Sequence, residues 1–127
     1  MDTVQKSRKV GLLNVFRNIS FRKKKSSQEL KDLIKDNKVL VLSKTYCPYC
    51  KRAKEHLNSF NLTGIKILEL DTISNGDSLQ KAAQKETGQR TVPNIWIGEK
   101  HIGGCDDLLS ISAHELKQKL TEAGALV

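Results

Sequence analysis

The sequence predicts an α/β domain built on a mixed four-stranded sheet flanked by helices. Three observations carry this. The run Val39-Leu40-Val41-Leu42 is wholly apolar and β-rich, as expected of a strand buried on both faces. Helical and strand patterns then alternate through the middle of the chain, which makes a strand–helix–strand unit and a parallel pair. Late in the chain two short strand patterns flank Gly98-Glu99, which makes a hairpin and therefore antiparallel pairing.

Taken in order, Ser26-Ser27-Gln28-Glu29 places Glu three residues after Ser, the pattern of a capping box. Leu30, Leu33 and Ile34 continue it as a helical stripe, and Asn37 ends it. The buried strand follows and leads into Lys44-Thr45-Tyr46-Cys47-Pro48-Tyr49-Cys50. After that, Cys50, Ala53, Leu57 and Phe60 repeat at helical spacing. Pro48 suits a first helical turn, where its missing N–H is not needed, so Cys47 is expected at the helix N-terminus. Residues 65–70 read as the next strand. Asp77 is expected to cap a helix over residues 77–87, with Leu79, Ala82 and Ala83 inward and Gly88 as the stop. Asn94-Ile95-Trp96-Ile97 and Lys100-His101-Ile102 are the hairpin strands, joined by an expected type II′ turn. Ser112-Ala113-His114-Glu115 repeats the capping box before a last helix carrying Leu116 and Leu120. The element order is thus α-β-α-β-α-β-β-α.

The 127 residues suffice for one domain with a modest core, and 28% charged with 38% apolar residues fits a globular protein. No apolar run approaches the length of a membrane span. Charge is unevenly placed. Residues 1–25 hold eight of the 22 Lys and Arg and one of the 14 acids, leaving the remainder near neutral. A nucleic-acid-binding domain would carry its basic patch on the folded body, so that class is excluded. We divide the chain into a basic extension, 1–25, and a domain, 26–127. Within the extension Leu12, Val15, Phe16 and Ile19 share one helical face, with Arg17 and Arg22 elsewhere on the wheel. Such an Arg-containing, acid-poor amphipathic start resembles a mitochondrial targeting segment. A plain basic tail, or a helix resting on anionic membrane, is the alternative. The expected location is cytoplasmic, mitochondrial or both.

Three cysteines are too few and of the wrong parity for a secreted disulfide framework, which points to a reducing compartment and cysteines kept for chemistry. Cys47 and Cys50, at i and i+3 on a helix start, can form and break a disulfide. Unpaired helix N–H groups, the positive end of the helix dipole and the nearby Lys44 favour a thiolate at Cys47. Cys50, a turn deeper, is less favoured as thiolate and is expected to be the resolving thiol. A zinc site could be assembled on paper from Cys47, Cys50, His101 and Cys105. Cys-x-x-Cys beside a βαβ pattern reads first as redox, and no metal is expected. His56, His101 and His114 read as structural or surface residues.

The segment from Lys44 to Cys50 resembles the active-site signature of the dithiol glutaredoxins. Thr91-Val92-Pro93 resembles their second signature and Gly103-Gly104-Cys105-Asp106-Asp107 their third. The three occur in the family's order and spacing, over roughly residues 26–127. The resemblance implies a thioredoxin-like fold, a cis peptide bond before Pro93, and glutathione as reductant and co-substrate. It implies that Lys44 pairs with the glycyl carboxylate, helped by Gln80 and Arg90. Thr91 precedes Val92, whose backbone N–H and C=O would pair with the cysteinyl part, and Pro93 would hold that backbone. Cys105 and Asp106 would take the γ-glutamyl end, while Tyr46 and Tyr49 wall the groove. The Cys105 thiol itself is expected to be a spectator.

The implied activity is reduction of protein–glutathione mixed disulfides, with Cys47 as nucleophile. A second glutathione then frees Cys47 and leaves as oxidised glutathione. For protein disulfides Cys50 completes the exchange. Implied partners are glutathione, glutathionylated or disulfide-containing proteins and, indirectly, glutathione reductase and NADPH. The chain is expected to act as a monomer. Two other readings are an iron–sulfur carrier, which Pro48 disfavours, and a thioredoxin-like protein reduced by a flavoprotein, whose active-site dipeptide would be Gly-Pro rather than Pro-Tyr.

Overall fold

A computed structural model describes residues 25–127. The amphipathic pattern around Leu12 and Ile19 lies outside these residues. Among the described residues ten elements follow one another: α1 (Ser26–Asp36), β1 (Val39–Ser43), α2 (Pro48–Asn58), β2 (Ile65–Glu69), a 3₁₀ turn (Leu70–Thr72), α3 (Gly76–Thr87), β3 (Asn94–Ile97), β4 (Lys100–Gly103), α4 (Cys105–Ser110) and α5 (Ala113–Glu122). The sheet order is β2-β1-β3-β4. β1 pairs with β2 in parallel, Val39 opposite Ile65, and with β3 antiparallel, Val39 opposite Ile97. β3 and β4 form the antiparallel hairpin. The mixed four-stranded sheet is the one the sequence predicts.

Side chains alternate across a strand, and β1 shows what that does here. Val39 and Val41 enter one core with Ala53 and Leu57 of α2, Ile95 and Ile97 of β3, and Leu116 and Leu120 of α5. Leu40 and Leu42 enter the other, with Leu30 of α1, Leu79, Ala82 and Ala83 of α3, and Trp96. Every residue of β1 is buried, so the strand needs no polar face. Each leucine so placed contributes about 1.5–3 kcal/mol by burial. None of the described helices is long and apolar enough to cross a membrane.

Four local expectations change. The Ser26 capping box is absent: Lys25 is the N-cap of α1, without a side-chain bond, and Ser26 lies inside the helix. The Glu29 carboxylate accepts instead from Asn75 Nδ2 at 2.8 Å, tying α1 to the start of α3. Asp77 does not cap α3 either; the N-cap is Asn75 and the helix begins at Gly76. A Cβ on Gly76 would lie 1.9 Å from the Leu70 carbonyl oxygen, so the chain can approach this closely only at a glycine. The hairpin turn has positive φ at both Gly98 (57°) and Glu99 (69°), which is the type I′ pattern and not II′. Finally, α4 is an additional short helix between the hairpin and the last helix. Ser112 does cap α5, accepting from the Glu115 N–H at 3.1 Å. Asn37 and Gly88 end α1 and α3 as expected, Gly88 in the left-handed region.

On β4, His101 bonds Asn94 Oδ1 through Nε2 at 2.6 Å, and its ring lies 5.2 Å from that of buried Trp96. Burial lowers the His101 pKa below its ordinary value, against a weaker opposing pull from Asp107.

Candidate active site

The site forms where β1 ends and α2 begins. Pro48 occupies the first turn of α2 and Cys47 is its N-cap, in extended conformation. A helix N-terminus leaves N–H groups without intrahelical partners, and one of them finds the thiol. Cys50 N–H donates to Cys47 Sγ at 3.3 Å. The Cys47 thiol also reaches toward the Val92 carbonyl at 3.8 Å. Cys47 is half-buried, whereas Cys50 is fully buried in the same turn. Burial pushes the Cys50 thiol up to about 11, and its Cys47 neighbour pushes the same way. The Lys44 backbone and the Ser43 hydroxyl oppose this more weakly. All three cysteines are free thiols.

The loop before Cys47 is anchored from the next crossover. Thr45 donates to Asp71 Oδ1 through its N–H at 3.0 Å and to Oδ2 through its hydroxyl. Those two bonds, with a smaller contribution from the Lys44 charge, hold the Asp71 carboxyl below its usual range.

Opposite Cys47 stands the segment before β3, where the Val92–Pro93 peptide bond is cis. A cleft of about 460 Å³ runs along it, lined by Tyr49, Gln89, Thr91, Val92, Pro93 and the residues from Gly104 to Asp107. The far wall is the turn into α4. Gly103 there has φ 120°, and a Cβ on it would lie 2.3 Å from Asp107 Oδ2, so this position too requires glycine. The Gly104 N–H donates to Asp107 Oδ2 at 2.8 Å, which closes the turn and starts the helix. Cys105 and Asp106 are thereby set at a helix N-terminus facing the cleft. Burial raises the pKa of the Cys105 thiol, with Arg52 opposing.

A family model for glutaredoxins matches residues 39–102, half of the chain. A glutaredoxin of Ricinus communis is 50% identical over 97 residues, covering 76% of this chain and 94% of that protein.

The chain belongs to the glutaredoxin family.

As a glutaredoxin it is a thiol oxidoreductase with the thioredoxin-like fold. Glutaredoxin-C2 of Arabidopsis thaliana is 47% identical over 100 residues, covering 78% of this chain and 89% of that one. Among solved structures, a buckwheat glutaredoxin–glutathione complex superposes with a TM-score of 0.75 at 43% identity, over 80% of this chain and 93% of that one.

Of the residues singled out from sequence, Tyr49, Thr91, Val92, Pro93, Cys105 and Asp106 line one cleft next to Cys47. Tyr46 is 72% exposed and is not part of that lining. Lys44 is half-buried at the end of β1, where its charge acts on Asp71. Gln80, on α3, donates through Nε2 to the Arg90 carbonyl at 2.8 Å, which ties that helix to the residue before Thr91. His101 takes part in the Asn94 contact, and no group of three or more His, Cys, Asp or Glu side chains placed to hold a metal occurs among the described residues. Two site residues escape the sequence reading. Asp71 is recognisable only once β2 is paired beside β1, 26 residues from Thr45 in sequence. Gln89 stands directly before the Arg90-Thr91-Val92-Pro93 stretch, and that adjacency is the one signal the sequence offers for it.

Proposed function

We propose that this chain is a glutathione-dependent thiol–disulfide oxidoreductase in which Cys47 is the nucleophile and Cys50 the resolving thiol. The observation that carries the reading is the contrast at the start of α2: a half-exposed cysteine at the helix N-cap, beside Val92 of the cleft wall, with a fully buried thiol behind it. The buckwheat relative solved as a glutathione complex supports glutathione as the ligand of the cleft.

In the first step the Cys47 thiolate attacks the glutathionyl sulfur of a protein mixed disulfide. A Cys47–glutathione disulfide forms and the protein leaves as thiolate, taking a proton from solvent. A second glutathione thiolate attacks the glutathionyl sulfur, releasing oxidised glutathione and regenerating Cys47. With a disulfide inside one substrate protein, Cys47 forms a mixed disulfide with it. Cys50 then attacks Cys47, closing an internal disulfide and freeing the reduced substrate.

The cleft has two chemically distinct ends in this reading. Lys44, with Gln80 and Arg90, faces the glycyl carboxylate. The N–H groups at the start of α4 and the Asp106 carboxylate face the γ-glutamyl end, where a carboxylate and an ammonium group sit together. Val92 offers its backbone to the middle, as an added strand would pair. Tyr46 and Tyr49 flank the nucleophile, the domain acts as a monomer, and glutathione reductase with NADPH restores the glutathione.

A coupled glutathione assay on a small glutathione mixed disulfide tests the reading. Turnover dependent on glutathione is the expected result; turnover with a thioredoxin reductase and none with glutathione rejects it. For the basic extension the proposal is a mitochondrial pool beside a cytosolic one. Mitochondrial protein with a new N-terminus before Ser26 supports this, and finding only intact protein in the cytosol favours a plain basic tail.

A further inference from the structure

Val92 is the middle of a three-residue segment whose outer two carbonyls are held by one side chain. Gln89 Nε2 donates to the Thr91 carbonyl at 3.2 Å and to the Pro93 carbonyl at 3.0 Å. That uses both of its N–H bonds. The Val92 carbonyl between them stands on the Cys47 side, 3.8 Å from Sγ. Gln89 is itself anchored to α3. Its backbone N–H donates to Thr87 Oγ1 at 3.0 Å, and the Thr87 hydroxyl donates to the Ala83 carbonyl at 2.7 Å. On its other side, Nε2 lies 3.7 Å from where a Cβ on Gly104 would stand. The amide is therefore wedged between the two walls of the cleft, the segment before β3 and the turn into α4.

We propose that Gln89 is a positioning residue for the substrate: by drawing the carbonyls of residues 91 and 93 to one side, it aims the Val92 backbone at the cysteinyl part of glutathione bound over Cys47. The inference rests on the glutathione reading above and adds the device that makes its middle subsite. The Thr91 and Pro93 carbonyls are both held on the Gln89 side, which leaves the Val92 carbonyl between them on the Cys47 side. Without the amide, those carbonyls turn to water and the substrate must order Val92 itself, which lowers affinity. The Cys47 sulfur keeps the hydrogen bond from the Cys50 N–H at 3.3 Å, the shorter of its two contacts, so the variants act on substrate binding and not on the nucleophile's own reactivity.

The test is Gln89→Met, which keeps the length and lacks donors, beside Gln89→Asn, which keeps the amide one methylene too short to bridge both carbonyls. Three quantities are compared with the unmodified protein: kcat and KM for a glutathione mixed disulfide, the rate of Cys47 alkylation by iodoacetamide, and the thermal midpoint. The expected result for both variants is a KM raised about three- to tenfold, the range that one or two neutral hydrogen bonds span, with kcat and alkylation unchanged. An unchanged KM in a folded variant overturns the proposal. So does a KM that rises only together with slower alkylation and a lower midpoint, because that is general loosening of the fold. An unmodified protein inactive with glutathione brings down the underlying reading, and shows itself before any variant is made.

Discussion

The tip of α2 and its first inward turn hold the same side chain under opposite conditions. At the tip, Cys47 is half-exposed, accepts a helix N–H and lies against Val92 of the cleft wall. Three residues on, Cys50 has no solvent exposure, and burial pushes its thiol up to about 11. The residue type is constant and the backbone position differs, so the difference between the two thiols comes from the helix terminus and the burial around it. The chain needs no separate base or metal to make the two thiols unlike.

Removing the outer thiol is the harshest test of this contrast. Cys47→Ser reduces glutathione-dependent turnover to background on every substrate; a variant near normal rates would mean that the tip is not where the reaction starts. Removing the inner thiol separates the two routes. Cys50→Ser keeps substantial activity on glutathione mixed disulfides, equal to or above the parent, because that cycle needs only Cys47 and two glutathiones. It loses activity on substrates reduced through an internal disulfide. Complete loss of mixed-disulfide activity, with the fold intact by circular dichroism, would erase the distinction.

The contrast also has a pH signature. Below its pKa of about 11 the Cys50 thiol is mostly protonated, and the attacking species is the thiolate. Closure of the internal disulfide from a preformed Cys47–glutathione adduct therefore accelerates about tenfold per pH unit through the neutral and mildly alkaline range. Single-turnover release of glutathione from that adduct measures it, and a pH-independent rate would contradict a buried, protonated Cys50. The smallest effects are expected at the ends of the cleft. Lys44→Ala and Asp106→Ala each raise KM for glutathione about fivefold, a charge-assisted contact of about 1.5–3 kcal/mol reduced by solvent screening. Constants unchanged in both variants would reject the two-ended site.

What the sequence makes legible follows from how local each cause is. The apolar run of β1 and the proline after Cys47 act through their own backbone, so the strand and the helix start can be read directly. The expected caps of α1 and α3 fail differently, while that of α5 holds. Ser26 and Glu29 have the right spacing, yet the Glu29 carboxylate is claimed by Asn75, 46 residues away. The Asp77 cap is displaced because Gly76 must pass against the Leu70 carbonyl, a packing demand with no signature at Asp77. The hairpin turn needs positive φ at Glu99 as well as Gly98, and a glutamate gives no hint of that. In the site, Val92, Pro93, Cys105 and Asp106 are legible as motifs. Gln89 and Asp71 are not, because each acts by bonding backbone that the motif residues supply, and only the folded chain brings them together.

Trp96 is the only tryptophan in the sequence. It lies four residues beyond Val92 in chain order, buried in the core beneath the sheet, with the His101 ring 5.2 Å away. The molecule thus carries one indole, and emission excited selectively from it comes from a single environment. A red shift of that emission reports opening of the core to water without any added label. An imidazolium next to an indole quenches it, and burial lowers the pKa of His101, so quenching sets in only as the pH falls below the ordinary histidine range. Between that acid onset and unfolding, changes in emission report on β3, the strand that continues directly from the wall of the cleft.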